Sequence, residues 1–113
     1  MELKEKIRSI VEWILEKKGE NTVHFDVTGK TDFTDAIIVC NGTVDIHNRA
    51  ISTHIVQKAK EHKFDILSKE GLDKWEWILL YFGEIIVHIF NEQKRNLYKI
   101  EDLYKFETKR ELW

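Results

Sequence analysis

Five histidines are the residues of this chain that are best suited by type to bind a metal ion or to act as a general base. They are scattered along the sequence, at His24, His47, His54, His62 and His88. The single cysteine has no pairing cysteine, and no His-Glu-x-x-His spacing occurs, so we predict no zinc site. His88 lies in the apolar run Val87-His-Ile-Phe90, which favours a histidine packed in a strand, or on a contact face, over a general base.

The segment Asp32-Phe-Thr-Asp35 comes nearest to a carboxylate metal site. Its two acids do not alternate along a strand, where both carboxylates would face one metal ion. A turn followed by the start of a strand explains both residues more simply. The glycines form neither a Gly-x-Gly-x-x-Gly nor a Walker pattern, and no serine lies in a nucleophile elbow. We therefore predict that the protein is not an enzyme and uses no catalytic residue, metal or cofactor.

Composition and charge favour a domain that binds another protein. The net charge of −2 leaves no basic excess to neutralise a phosphate backbone, so nucleic acid is not expected as the main contact. A hydrophobic share of 42% with 34% charged residues is ordinary for a globular domain. The length of 113 residues predicts one domain, residues 1–113, with a modest core.

The single cysteine, the N-terminal sequence and the length of the apolar runs predict a cytoplasmic protein. Cys40 stands alone in an apolar run, which is typical of a buried thiol in a reducing compartment. The N-terminal sequence Met1-Glu-Leu-Lys lacks the apolar region of a signal peptide. No apolar run approaches the roughly 20 residues of a membrane helix, so we expect no membrane contact.

Helical spacing of apolar residues predicts two long helices and one short one. The first covers residues 2–18, with Gly19 expected as its left-handed cap. Its apolar stripe consists of Leu3, Ile7, Ile10, Val11, Ile14 and Leu15. The second begins with Asp45 as its capping residue and runs to about His62. The short helix covers about residues 93–104, and the charged residues after it are expected to fray.

Five strands are predicted between and after the long helices, at about residues 23–28, 36–40, 64–69, 75–82 and 85–90. A strand, a long helix and another strand form a right-handed crossover with parallel strands. The next connection is too short for a crossover, so the fourth strand should turn back. The predicted fold class is therefore α/β (α+β), a mixed sheet of about five strands with two long helices on one face.

The hairpin of residues 75–90 is apolar on both faces. A two-residue turn, either Phe82-Gly83 or Gly83-Glu84, places Glu84, Ile86 and His88 on the face of Trp77 and Tyr81. Because Glu84 and His88 make that face the more polar one, the other face is predicted to lie under the helices. The residues predicted under the helices are Ile78, Leu80, Phe82, Ile85, Val87 and Ile89.

The remaining face of this hairpin lacks predicted helical cover. It would display Trp75, Trp77, Leu79, Tyr81, Ile86 and His88. An aromatic patch with a polar rim is typical of a protein-binding surface. The alternative is that the short C-terminal helix folds back and buries the patch as internal core.

Three segments of the chain, taken in order, follow the pattern of one known family. Thr34-Asp-Ala-Ile-Ile-Val-Cys-Asn-Gly-Thr43 follows Thr/Ser-Asp-x-hydrophobic-Val-Ile/Leu-x-x-Gly-Thr, and Trp77-Ile-Leu-Leu-Tyr-Phe-Gly-Glu-Ile-Ile-Val-His-Ile-Phe90 follows Trp-x-Leu-Ile-Asp-Tyr-Gly-Asp-hydrophobic-Val-Val-His-hydrophobic-Phe. The third segment carries Arg95, Tyr98, Glu101 and Leu103. Across about residues 3–105, the chain resembles the ribosomal silencing factor family, also called RsfS or Iojap.

This resemblance implies a nucleotidyltransferase-like fold without catalytic acids and a role as a translation repressor. Family members bind the large ribosomal subunit through the ribosomal protein uL-fourteen, block its joining with the small subunit, and often form homodimers. Tyr81 departs from the pattern because the family usually has Asp there, whereas Glu84 keeps a negative charge nearby. The residues expected at the ribosomal contact are Trp77, Tyr81 and Glu84, with Glu70, Ile86 and His88 beside them.

Two other functions stay open at this point. A nucleotidyltransferase-like enzyme would require a bound nucleotide and a metal ion held by carboxylates. A purely structural homodimer would pair the uncovered face of the hairpin with itself.

Overall fold

The computed structural model of the chain describes residues 2–103 and 110–112, which form three α-helices, one 3-10 helix and six strands. The helices are α1 (Leu3–Glu16), α2 (Asp45–Glu61), α3 (Glu92–Tyr98) and the 3-10 helix Ile100–Leu103. The strands are β1 (Glu20–Asp26), β2 (Ala36–Gly42), β3 (Ser68–Glu70), β4 (Trp77–Tyr81), β5 (Ile85–Asn91) and β6 (Arg110–Leu112).

The strands form one mixed sheet in the order β3-β4-β5-β2-β1-β6. Strands β2 and β5 pair in parallel, with Ala36 opposite Ile85, and the other neighbouring pairs are antiparallel. Strand β3 runs parallel to β2, as the crossover predicts, but β4 and β5 lie between them. The predicted mixed sheet is thus confirmed. Among the described residues, no helix combines the length and the apolar character needed to cross a membrane.

Helices α1 and α2 pack together on one face of the sheet, as predicted, and enclose the larger core. Helix α1 contributes an apolar stripe at helical spacing, and Trp13 at its edge packs against Phe64 with ring centroids 5.3 Å apart. Helix α2 contributes Ile51, Ile55 and Ala59. Leu15 was predicted in the stripe of α1 but is 47% exposed, because it lies at the end of the helix and beside the stripe.

Both predicted caps of the long helices were wrong. The left-handed residue after α1 is Lys18, at φ 59°, and not Gly19. Gly19 is required for a different reason, since a Cβ there would strike the Cγ2 atom of Ile14. The N-cap of α2 is Val44, without a side-chain cap, and the carboxylate of Asp45 in the first turn instead accepts a hydrogen bond from Asn91.

The third and last strands also differ from their predictions. The third strand was predicted at residues 64–69, but β3 covers only Ser68–Glu70, because Phe64 packs in the helical core and does not pair in the sheet. Fraying of the last residues was predicted, but Arg110–Leu112 pairs with β1. A short, largely charged segment shows no apolar alternation from which a strand could be predicted. It pairs here through backbone groups at the edge of the sheet. Residue 104 of the predicted C-terminal helix lies outside the described residues.

Candidate functional site

One face of β4 and β5 carries the predicted aromatic surface. Its residues, here called the aromatic face, are Trp77, Leu79, Tyr81, Ile86, His88 and Phe90. Antiparallel pairing sets Trp77 opposite Phe90 and Tyr81 opposite Ile86, so these side chains share one side of the sheet. Gly83, at φ 93°, and Glu84 form the two-residue turn. The predicted register is therefore confirmed.

The opposite face of the same strands lies in the helical core, as predicted. Its residues Ile78, Leu80, Ile85, Val87 and Ile89 are buried, and Phe82 packs against them. Trp75 was predicted on the aromatic face but packs with the helical core. The reason is its left-handed backbone, φ 61°, which breaks the alternation before β4 begins. Its ring lies 5.4 Å from the guanidinium carbon of Arg49 on α2.

Trp77 is held in place by three neighbours. Its ring centroid lies 5.0 Å from that of Phe90 in a stacked arrangement and 4.8 Å from that of Tyr98 on α3. Its indole Nε1 donates a hydrogen bond of 3.1 Å to Nδ1 of His88. The indole is half-buried, so part of its oriented aromatic surface still faces solvent.

His88 acts as a structural acceptor at this site. Burial lowers the pKa of His88 from 6.5 to about 4, so its imidazole is neutral at pH 7. Because Nδ1 accepts the indole proton of Trp77, the imidazole proton lies on Nε2. The structure thus favours the packed-strand interpretation of this histidine over a general base.

Two predicted contact residues offer little surface to a partner. Ile86 is 8% exposed and His88 is 5% exposed. The expectation that they are displayed was wrong, because β5 is a central strand whose neighbours β4 and β2 enclose its side chains on both sides. The exposed part of the aromatic face therefore lies on β4, where Trp77, Leu79 and Tyr81 are half-buried.

The two predicted acidic contacts fall on different sides of the sheet. Glu84 was predicted beside Trp77, but its carboxylate forms an ion pair with Lys6 of α1, at 2.5 Å, and so points to the helical side. Glu84 is a turn residue, so strand alternation does not fix its direction. Glu70 pairs with Leu79 on the edge strand β3, which places its exposed side chain beside the aromatic face. The structure thus brings Glu70, but not Glu84, to Trp77 and Tyr81.

Part of this sheet face is covered from within the chain. A second buried cluster joins Phe90 to residues of β1, β2 and the connection after β1, namely Val23, Phe25, Val27, Ile37 and Val39. Trp77 and Ile100 of the 3-10 helix pack against that cluster. The alternative that the C-terminal helix folds back is therefore realised at one end of the face, while β4 stays half open.

Buried polar contacts fix α3 against the sheet. The buried guanidinium of Arg95 donates to Oδ1 of Asn41, at 2.8 Å, and to the carbonyl oxygen of Asn21, at 2.5 Å. Asn91 caps the helix by accepting a hydrogen bond of 2.8 Å from the backbone N–H of Lys94. These contacts place Tyr98, 49% exposed, against Trp77.

Two exposed aromatic residues beside the face were missing from the predicted contacts. Tyr98 follows Arg95 by three residues, a helical spacing that was visible in the sequence. Phe33, 50% exposed, lies in the connection between β1 and β2, and its carbonyl oxygen accepts a hydrogen bond of 2.8 Å from the hydroxyl of Tyr81. No local pattern reveals Phe33, because its place depends on a contact across 48 residues.

The thiol of Cys40 and the metal-ligand types can be compared with the sequence predictions within the described part of the chain. Cys40 is fully buried, and burial raises the pKa of its thiol to about 12, so it is not a thiolate at neutral pH. Among residues 2–103 and 110–112, no three His, Cys, Asp or Glu side chains come together as metal ligands would. The arrangement instead provides an oriented, partly open aromatic surface.

Comparison with known proteins agrees across sequence and structure. Residues 1–112 match the family described as "Ribosomal silencing factor during starvation". The chain is 34% identical over 100 residues to the ribosomal silencing factor RsfS of Haemophilus influenzae, covering 85% of this chain and 98% of that protein. The crystal structure of a Chromobacterium violaceum protein superposes with a TM-score of 0.89 at 29% identity, covering 92% of this chain and 87% of the other. A Bacillus halodurans structure gives a TM-score of 0.82 at 27% identity, with 89% and 94% covered.

Proposed function

Because the chain belongs to the ribosomal silencing factor family, we propose that it represses translation by binding the large ribosomal subunit and sterically blocking its joining with the small subunit. The proposed contact on the subunit is the ribosomal protein uL-fourteen. The whole chain, residues 1–113, acts in this proposal as one domain in the cytoplasm, without catalysis or cofactor. The observation that carries the proposal is the half-open aromatic surface of β4, held in a fixed orientation by its neighbours.

The geometry of Trp77 supports its role as the central anchor. Binding energy concentrates in large aromatic residues that enter well-packed pockets of a partner. Trp77 already has its indole N–H bonded to His88 and its ring stacked on Phe90, so binding orders little additional side chain. Such preorganisation reduces the entropic cost of association.

The charge of the chain supports a protein contact on the ribosome. A net charge of −2 gives no general attraction to ribosomal RNA. Glu70 adds an exposed carboxylate at the edge of the aromatic face, where a basic ribosomal protein would meet it. Steric blocking requires only that the bound protein occupies space at the joining surface, which a domain of 35 × 33 × 23 Å can do.

The test is cosedimentation of purified protein with bacterial large ribosomal subunits. Truncation of a central anchor costs about 2 kcal/mol or more, which weakens binding about thirtyfold. We expect this loss for Trp77→Ala and wild-type binding for Trp75→Ala, which removes an indole from the helical side of the same hairpin. Circular dichroism checks that both variants are folded. Undiminished binding by folded Trp77→Ala would remove the aromatic face from the contact.

A further inference from the structure

We propose that Tyr81 is a positioning residue, which holds the loop of residues 28–35 so that Phe33 extends the aromatic face as a second apolar anchor. The inference rests on the proposed function and adds to it a contact at the other end of the face. Two observations carry it. The hydroxyl of Tyr81 donates to the carbonyl oxygen of Phe33 at 2.8 Å, and the side chain of Phe33 is 50% exposed.

The loop is fastened at its base and near its tip. At the base, the backbone N–H groups of Asp35 and Ala36 both donate to the carbonyl oxygen of Glu84 in the turn, each at 3.0 Å. Within the loop, the hydroxyl of Thr31 donates to the carbonyl oxygen of Thr34 at 2.8 Å. The bond from Tyr81 is the contact that fastens Phe33 itself to β4. Losing that hydroxyl would leave the base in place and free the tip.

The two ends of the aromatic face then carry two separate anchors. Trp77 and Tyr98 lie at one end, and Tyr81 and Phe33 lie at the other. Tyr81 follows Trp77 by four residues along β4, a distance of about 13 Å at the usual rise of an antiparallel strand. A partner that engages both anchors needs two apolar patches at that spacing.

The chemistry of Tyr81 makes this end of the contact apolar. Its hydroxyl proton is committed to Phe33, so Tyr81 turns an uncharged ring toward solvent. An ionised aspartate, the residue that the family pattern has at this position, only accepts hydrogen bonds and could not hold a carbonyl oxygen. The hydrogen bond to Phe33 therefore depends on tyrosine at position 81. At this end of the face, two aromatic rings stand in place of a charged side chain. The surface of the large-subunit protein facing Phe33 is inferred to be apolar.

Affinity measurements with purified bacterial large subunits test this inference. We expect Phe33→Ala to weaken binding about tenfold and Tyr81→Phe about fivefold. The double variant should bind no more weakly than Phe33→Ala alone, because the hydroxyl acts only through Phe33. Tyr81→Asp should also weaken binding. Since the lost contacts are apolar, the fold-changes for Phe33→Ala should be equal at low and high salt.

A second readout follows the loop without any partner. Hydrogen exchange at the amides of residues 30–34 should be faster in Tyr81→Phe than in the wild-type protein, while exchange at Asp35 and Ala36 is unchanged. For the affinity measurements, Ile46→Ala is the matched control for Phe33→Ala. Ile46 is a 75% exposed apolar residue on α2, so its truncation should not change the affinity.

The outcomes separate this inference from the proposed function. If Phe33→Ala and Tyr81→Phe both bind with wild-type affinity while Trp77→Ala binds weakly, the positioning of Phe33 by Tyr81 is refuted. The proposed ribosomal contact through Trp77 would then still be supported. Losses that add in the double variant, or tighter binding by Tyr81→Asp, would also refute this positioning, because Tyr81 would then contact the partner directly. Failure of the wild-type protein to bind large subunits would reject both.

Discussion

Protonation of His88 should destabilise the folded protein at mildly acidic pH. The pKa of His88 is lowered from 6.5 to about 4 in the folded state because burial disfavours the charged imidazolium. Between these two values the unfolded chain binds more protons at this residue than the folded chain does. The contribution of His88 to stability is therefore fully present above pH 6.5 and is lost as the pH drops toward 4.

The size of this effect follows from the displacement of the pKa. A shift of one pKa unit corresponds to about 1.36 kcal/mol. The lowering of the His88 pKa from 6.5 to about 4 therefore corresponds to about 3 kcal/mol. That is a large part of the roughly 5–15 kcal/mol that stabilises a typical domain. Protonation also places a proton on Nδ1, which removes the acceptor of the Trp77 indole. The aromatic face should thus loosen in the same pH range.

Urea unfolding at several pH values between 7 and 4 measures this prediction. The wild-type free energy of unfolding should fall by about 3 kcal/mol across the range. In His88→Asn the side-chain amide oxygen can still accept from Trp77 but nothing titrates, so this fall should largely disappear. The carboxyl groups of Glu16 and Asp26 have pKa values below their ordinary 4.5 and 3.8, so their contributions to stability are lost only as the pH falls below about those values, equally in both proteins. An equal fall in His88→Asn and in the wild-type protein would refute the assignment.

Two further predictions concern buried groups away from β4. Arg95→Met should lower the free energy of unfolding by about 2 kcal/mol, because it leaves the side-chain oxygen of Asn41 without its donor. It should also weaken binding to the large subunit, because it releases the helix that carries Tyr98. Wild-type values in urea unfolding and cosedimentation would contradict this prediction. Cys40 should not react with a thiol reagent at pH 8 in the native protein and should react fully in denaturant, because its pKa is raised to about 12; rapid native reaction would contradict its burial.

Alternation of side chains was sufficient to predict the two faces of the hairpin. Ile78 and Leu80 lie under the helices and Trp77 and Tyr81 on the other face, because a strand places successive side chains on opposite sides. The helical stripes predicted α1 and α2 for the equivalent reason. These features depend on local periodicity, which a single sequence displays directly.

The wrong or missing assignments depend on contacts between distant segments. Trp75 leaves the aromatic face through a left-handed backbone, and Glu84 leaves it for an ion pair with Lys6, 78 residues away. Burial of Ile86 and His88 follows from the central place of β5, which requires knowledge of the strand order. The resemblance to ribosomal silencing factors identified the family correctly but could not show which of these side chains are exposed.

Repression by steric blocking is tested by a sucrose-gradient profile of purified large and small ribosomal subunits mixed under joining conditions with this protein. We expect the wild-type protein to travel with the large subunit and to reduce the joined-ribosome peak, while Trp77→Ala does neither. A joined-ribosome peak that is unchanged at saturating wild-type protein would contradict repression by steric blocking. Migration with the small subunit alone would contradict the proposed partner.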